Sequence, residues 1–214
     1  MVRDYYKVLQ ISPPGGGKSY SNRDMNPETT GFINIENKPL PFKNKFKNHK
    51  RPSTYIEVLD AIAEYAKDDS INCLVVDSFS AYVDLLLAEC RRTKKGFDIW
   101  NMYNEEIGRF ITYIKKVQKE VFVTGHYEML GIEGNMEKRL KCKGKEWEGI
   151  VEKEFTIVMY GDKKFNDKGI PDYFYSLVGE GISAKCPPDI FGPEVQKIPN
   201  DNKFILDKIL NFVK

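Results

Sequence analysis

A short apolar run, Lys7 to Ile11, stops at Pro13-Pro14 and passes straight into Gly15-Gly16-Gly17-Lys18-Ser19. No other stretch constrains the fold as tightly. Val8, Leu9 and Ile11 predict a buried strand, and the two prolines end it. The glycines then let the backbone curl and aim its N–H groups at an anion. The order matches the phosphate-binding template G-x-x-x-x-G-K-[ST] between a strand and a helix, with Ser12 in place of the first glycine. A small residue there still permits the turn. The loop therefore predicts ATP binding through Ser12, Pro13, Pro14, Gly15, Gly16, Gly17, Lys18, Ser19 and Tyr20. Lys18 would reach the β- and γ-phosphates, and the Ser19 hydroxyl would ligate Mg²⁺. A short helix over Ser19 to Met25 would add its dipole.

The rest of the chain alternates strands and helices. Gly31 to Glu36 predicts a second strand, and residues 43–52 an exposed basic loop. Ser53 would cap a helix to about Lys67, with Ile56, Leu59, Ala63 and Ala66 inward. Ile71 to Val76 predicts a buried parallel strand tipped by Asp77. Helices follow from Ser78 to about Cys90 and from about Tyr103 to Lys119, then a strand at Val121 to Thr124. A glycine- and lysine-rich loop, Gly131 to Gly149, comes next. Phe155 to Tyr160 and Tyr173 to Val178 predict antiparallel strands, and Asn202 to Lys214 an amphipathic helix. The fold class is α/β: one domain spanning 1–214, a mostly parallel twisted sheet flanked by helices, and an antiparallel C-terminal extension.

A net charge of +2 in 214 residues carries no global cationic field. Any nucleic-acid contact must then be local. Four dispersed cysteines and two histidines argue against a structural zinc site or a disulfide framework and suit a reducing cytoplasm. No signal-like or membrane-spanning run is evident, so no membrane partner is expected.

Three more residues fall at predicted strand ends, on the sheet edge that carries Lys18. Asp77 is placed to hold Mg²⁺ with Ser19; its bland reading is a helix cap. Glu36 is either a carboxylate that polarises the attacking water or a solvated loop acid. His126 is either a γ-phosphate sensor or a histidine without a role, and Thr124 is a lesser candidate for the same sensor.

These stretches resemble a family. Phe32-Ile33-Asn34-Ile35-Glu36-Asn37 looks like the strand that carries the catalytic glutamate of RecA-type recombinases. Leu74-Val75-Val76-Asp77-Ser78 looks like their Walker B strand. Val121 to His126 sits where they carry a strand ending in a polar sensor, usually Gln. Asn37 to Phe42, Gly125 to Glu128 and Ser183 to Pro188 narrow the resemblance to compact RecA-like phage ATPases of the Sak-type single-strand-annealing group. The resemblance covers about residues 5 to 212. It implies a RecA core, ATP and Mg²⁺, single-stranded DNA, and a ring or filament of identical subunits. A single-strand-binding protein is a further implied partner, and the host cytoplasm the implied location. Lys185 best matches the basic residue that such assemblies insert into a neighbour's site; its bland reading is a surface lysine.

The resemblance also implies two DNA loops. The first would run from Arg91 to Trp100, with Arg91, Arg92, Lys94, Lys95, Phe97 and Trp100. The second, from Met129 to Trp147, carries Lys138, Arg139, Lys141, Lys143 and Lys145 among Gly131, Gly134 and Gly144. Cations neutralise phosphates and aromatic rings stack bases. Glu133, Glu137, Glu146 and Glu148 dilute the second patch. The expected activity is DNA-dependent ATP hydrolysis. An ATP-switched binding module with little hydrolysis, a small-molecule kinase and a helicase or packaging motor are the alternatives.

Overall fold

In the computed structural model, residues 3–43, 45–132 and 135–213 are described; Glu133 and Gly134 of the predicted second loop lie outside them. The chain order is β1 (Lys7–Ile11), β2 (Thr30–Asn34), β3 (Asn48–Lys50), α1 (Tyr55–Lys67), β4 (Cys73–Asp77), α2 (Phe79–Thr93), α3 (Asp98–Lys116), β5 (Glu120–Gly125), β6 (Tyr127–Ile132), β7 (Asn135–Leu140), β8 (Ile157–Phe165), β9 (Pro171–Ser176), α4 (Pro188–Phe191), β10 (Lys197–Pro199) and α5 (Asn202–Phe212).

Eight strands form one sheet in the order β10-β9-β8-β1-β5-β4-β2-β3. The six strands from β8 to β3 are parallel, and β9 and β10 add antiparallel at one end. The α/β class and the antiparallel C-terminal extension are as expected. Strand periodicity divides the core in two. Leu9, Ile11, Leu74 and Val76 face α1, α2 and α3. Val8, Cys73, Val75 and Phe122 face α4 and α5. With both faces covered, the central strands β1, β5, β4 and β2 are buried at every position.

Five details differ from expectation. The segment after Lys18 forms only a 3₁₀ turn, Tyr20–Asn22, so no helix dipole points at the loop. Residues 43–52 are not all loop, because Asn48–Lys50 pairs in parallel with β2. Thr54, not Ser53, caps α1, accepting from the Glu57 N–H. The α1 core face is Tyr55, Val58, Leu59, Ile62 and Tyr65, while Ile56 points to solvent. Finally, much of the predicted second loop is a hairpin, β6 with β7. Alternating side chains on two neighbouring strands outweigh the glycine content there.

No helix among the described residues is long and apolar enough to cross a membrane.

Candidate nucleotide site and nucleic-acid face

The sheet order fixes the site. β5 lies between β1 and β4, so the chain leaves β1, β5, β4 and β2 side by side at one edge. The Ser12 N–H donates to Gly125 O at 3.1 Å, and the Ile35 N–H to Asp77 O at 2.7 Å. The loop, Thr124, His126, Asp77 and Glu36 are therefore neighbours. Residues 14–20 with Glu36, Lys38, Pro41, His126 and Tyr173 line a cleft of about 510 Å³, while Asp77 and Thr124 are buried.

Asp77 is the buried anchor. The Ser19 hydroxyl donates to its Oδ2 at 2.6 Å and the Thr124 hydroxyl to its Oδ1 at 2.5 Å. Burial pushes its pKa up, against the pull of those two bonds. A carboxylate beside a serine hydroxyl is a hard oxygen donor set. It fits Mg²⁺, which takes one or two protein oxygens and keeps water and phosphate for the rest.

Lys18 is folded onto the loop. Its Nζ donates to Ser12 O and Pro13 O, each at 3.0 Å, and lies 3.1 Å from His126 Nδ1. Burial lowers its pKa to about 8. A charged lysine can only donate, so His126 Nδ1 accepts and the ring proton sits on Nε2. That nitrogen lies 3.6 Å from Glu36 Oε1. Lys18, His126 and Glu36 thus form one chain across the cleft.

Glu36 is gripped from several sides. Ser78 donates to its Oε1 at 3.2 Å and Lys38 to its Oε2 at 2.7 Å. The His126 contact first, then Lys38, hold its pKa down to about 2. It is ionised at neutral pH.

The lowered Lys18 pKa predicts a pH signature. Between about 8 and the ordinary lysine value, the unfolded chain binds this proton and the native protein does not. The Lys18 contribution to stability therefore rises with pH across that window. Nucleotide affinity moves the other way, because the loop loses its cation. Calorimetric titration should show ATP binding weakening as pH climbs past about 8, approaching tenfold per pH unit.

Several groups at the site escaped the sequence reading. A buried amide bridge ties α5 to the loop. Asn202 Nδ2 donates to Asn22 Oδ1 at 2.7 Å, and Gln10 Nε2 donates to Asn202 Oδ1 at 2.6 Å. Asn22 Nδ2 in turn reaches Lys18 O and Ser19 O, both at 3.3 Å. This network holds the loop where a helix was expected. Gln10, polar inside an apolar strand, was the one visible signal. Tyr173, from β9, packs on Gly17 so closely that a Cβ there would lie 2.9 Å from the ring. Gly17 also has φ +84°, a second reason for glycine.

Lys185 lies outside the cleft lining. Its backbone pairs with Val158, and its Nζ donates to Lys153 O at 3.1 Å. The predicted first DNA loop shrinks to a turn: Arg91 and Arg92 end α2, Lys94 and Lys95 form the connection, and Trp100 opens α3. Arg92 is paired with Glu89 at 2.7 Å, whereas Phe97 is 83% exposed. In the second segment Lys138 and Arg139 lie on β7, with Lys138 Nζ 5.0 Å from the centroid of the Tyr127 ring and Arg139 paired with Glu137. Lys141 and Lys143 follow the strand, and the Lys143 N–H donates to Tyr103 Oη at 3.0 Å. Trp147 is not free to stack, because it packs against the core and donates to Asn104 O at 3.2 Å.

The two segments meet. A Cβ at Gly144 would lie 3.3 Å from the Trp100 ring. The cleft connects to this face through one residue. The His126 N–H donates to Ser80 Oγ at 2.9 Å, and its carbonyl accepts from the Lys141 N–H at 2.7 Å.

A family model described as an AAA domain matches residues 4–186. The chain belongs to the AAA domain family. Among solved structures it is similar to a KaiC-like protein from the hyperthermophilic archaeon Pyrococcus horikoshii OT3. The TM-score is 0.51 at 14% identity, covering 91% of this chain and 84% of that one. The RadB recombinase gives a TM-score of 0.47 at 14% identity, over 82% of this chain and 89% of that one. No curated protein matches the sequence. The first likeness, at low identity, is one of fold alone: an α/β core around a mostly parallel sheet. Fold alone does not assign a partner.

Proposed function

We propose that this AAA domain hydrolyses ATP with Mg²⁺ and couples the nucleotide state to single-stranded DNA. In this reading the whole chain acts as one domain, assembled with its own copies in a ring or filament. It works in recombination, annealing or replication of the Sak-type phage group, in the cytoplasm of the infected cell. The observation that carries it is the convergence of Lys18, Ser19, Asp77, Glu36 and His126 on one cleft.

Each residue has a physical role. Gly15 and Gly17, both at positive φ, turn the loop so that its N–H groups can converge on phosphate. Lys18 swings from its loop carbonyls to the β- and γ-phosphoryl oxygens. Ser19 and Asp77 hold Mg²⁺, with Thr124 fixing the far oxygen of Asp77. The bound ion would neutralise charge on the phosphoryl oxygens. Glu36 orients the attacking water. With a pKa of about 2 it is a weak proton acceptor while His126 and Lys38 grip it. That favours slow turnover in the absence of DNA, and so lends weight to the ATP-switched module as the second reading. When Lys18 leaves His126 for phosphate, the ring loses its Nδ1 partner while its Nε2 still faces Glu36. A shift of the His126 backbone would reach the basic face through its carbonyl, which accepts from the Lys141 N–H. Lys185 keeps its proposed role in a neighbouring subunit's site.

The DNA face would comprise Arg91, Arg92, Lys94, Lys95, Trp100, Lys138, Arg139, Lys141 and Lys143. Anisotropy with a fluorescent oligo-dT at rising salt tests it. Replacing Lys94, Lys95, Lys141 and Lys143 together by Ala should flatten the log K against log salt slope by roughly 3, about 0.7 for each phosphate no longer neutralised. Binding that is absent at low salt, or a slope that does not change, contradicts this face.

A further inference from the structure

β8 runs parallel to β1 and outlasts it. The last β1 partner is Ile11, opposite Tyr160, whereas β8 continues to Phe165 with only β9 beside it. The prolines that end β1 thus leave the β8–β9 hairpin projecting past the sheet edge, over the phosphate loop.

One face of this overhang follows the loop. A Cβ at Gly161 would lie 2.9 Å from the Ser12 Cβ. Two residues on, and so on the same face, Lys163 places its Nζ 3.9 Å from the Cβ position of Gly15. Tyr173 is the cross-strand partner of Lys163 and covers Gly17. Its ring centroid is 6.2 Å from that of Tyr20, tilted by 47°. Both tyrosines line the cleft mouth, and Tyr20 is 40% exposed.

We propose that the β8–β9 hairpin is the second wall of the nucleotide site, with Tyr173 beside Tyr20 seating the nucleoside and Lys163 adding a cation to the phosphates. The proposal rests on the ATP site described above and deepens it. Tyr173 offers a ring beside Gly17 and Tyr20, and stacking on a ring tolerates any base. Lys163 approaches the loop from the opposite strand, without competing with Lys18 for its buried position.

Inorganic tripolyphosphate separates the two contacts, because it carries the phosphates without the nucleoside. Calorimetric titrations with Mg²⁺ should compare wild type, Lys163→Ala, Tyr173→Ala and Lys18→Ala, each checked for folding by its melting temperature. Tyr173→Ala should bind ATP roughly tenfold more weakly and tripolyphosphate within about twofold of wild type. Lys163→Ala should weaken both ligands by roughly fivefold at low salt, and less as salt rises. Either variant binding both ligands like wild type overturns the proposal. So does equal loss of both ligands in Tyr173→Ala, which would make the ring a prop for the loop. Wild type that binds neither ligand, or a Lys18→Ala variant that binds both normally, sinks the ATP site itself and this proposal with it.

Discussion

Glu36→Gln is expected to lower ATP turnover by about 10²- to 10⁴-fold, the usual loss when a positioned carboxylate is removed from the reacting centre. ATP binding should survive, because the loop, Lys18 and Asp77 are untouched. Gln keeps the size of the side chain and can still accept from Ser78 Oγ, which donates to Glu36 Oε1 at 3.2 Å. The dissociation constant should stay within about threefold while kcat collapses, as expected for an interaction made mainly in the transition state. A parallel loss of binding would mean that Glu36 shapes the cleft instead.

Lys18→Ala is expected to cut the nucleotide response sharply at the binding step. A phosphate contact from a buried lysine is costly to truncate, about 2–5 kcal/mol, or more than thirtyfold in affinity. The readout is thermal. ATP at about a hundred times its dissociation constant should stabilise wild type by about 2.7 kcal/mol. For a chain of this size that is a rise in Tm of roughly 5–10 °C. The variant should show at most about a third of that shift. Without nucleotide, its own Tm should change little, because burial already disfavours the Lys18 ammonium in the native fold. A variant that melts far below wild type would assign Lys18 to the scaffold.

Much of this site was legible in the sequence, for a physical reason. Proline, glycine and a strand-end carboxylate each act through local backbone chemistry, so the loop, Asp77 and Glu36 could be located before any packing was known. The order of strands could not be read that way. Only with β5 placed between β1 and β4 do Thr124 and His126 fall beside Asp77 and Lys18. The missed groups are joined to the loop by long-range contacts. Tyr173 reaches Gly17 from the far end of the chain, and Asn202 reaches Asn22 across 180 residues of sequence. The failed helix after Lys18 belongs with them. Its place is held by the Gln10, Asn22 and Asn202 amides, which no local propensity encodes. The second basic segment misled because glycine and lysine read as loop, while β6 and β7 pair along their whole length.

Steady-state ATP turnover by wild type and Glu36→Gln, with Mg²⁺ and with or without single-stranded DNA, is the most direct test. Slow turnover that DNA accelerates, and that Glu36→Gln removes under both conditions, is the result predicted here. Turnover that ignores DNA and persists in Glu36→Gln, or no turnover at all beside normal ATP binding, would contradict it.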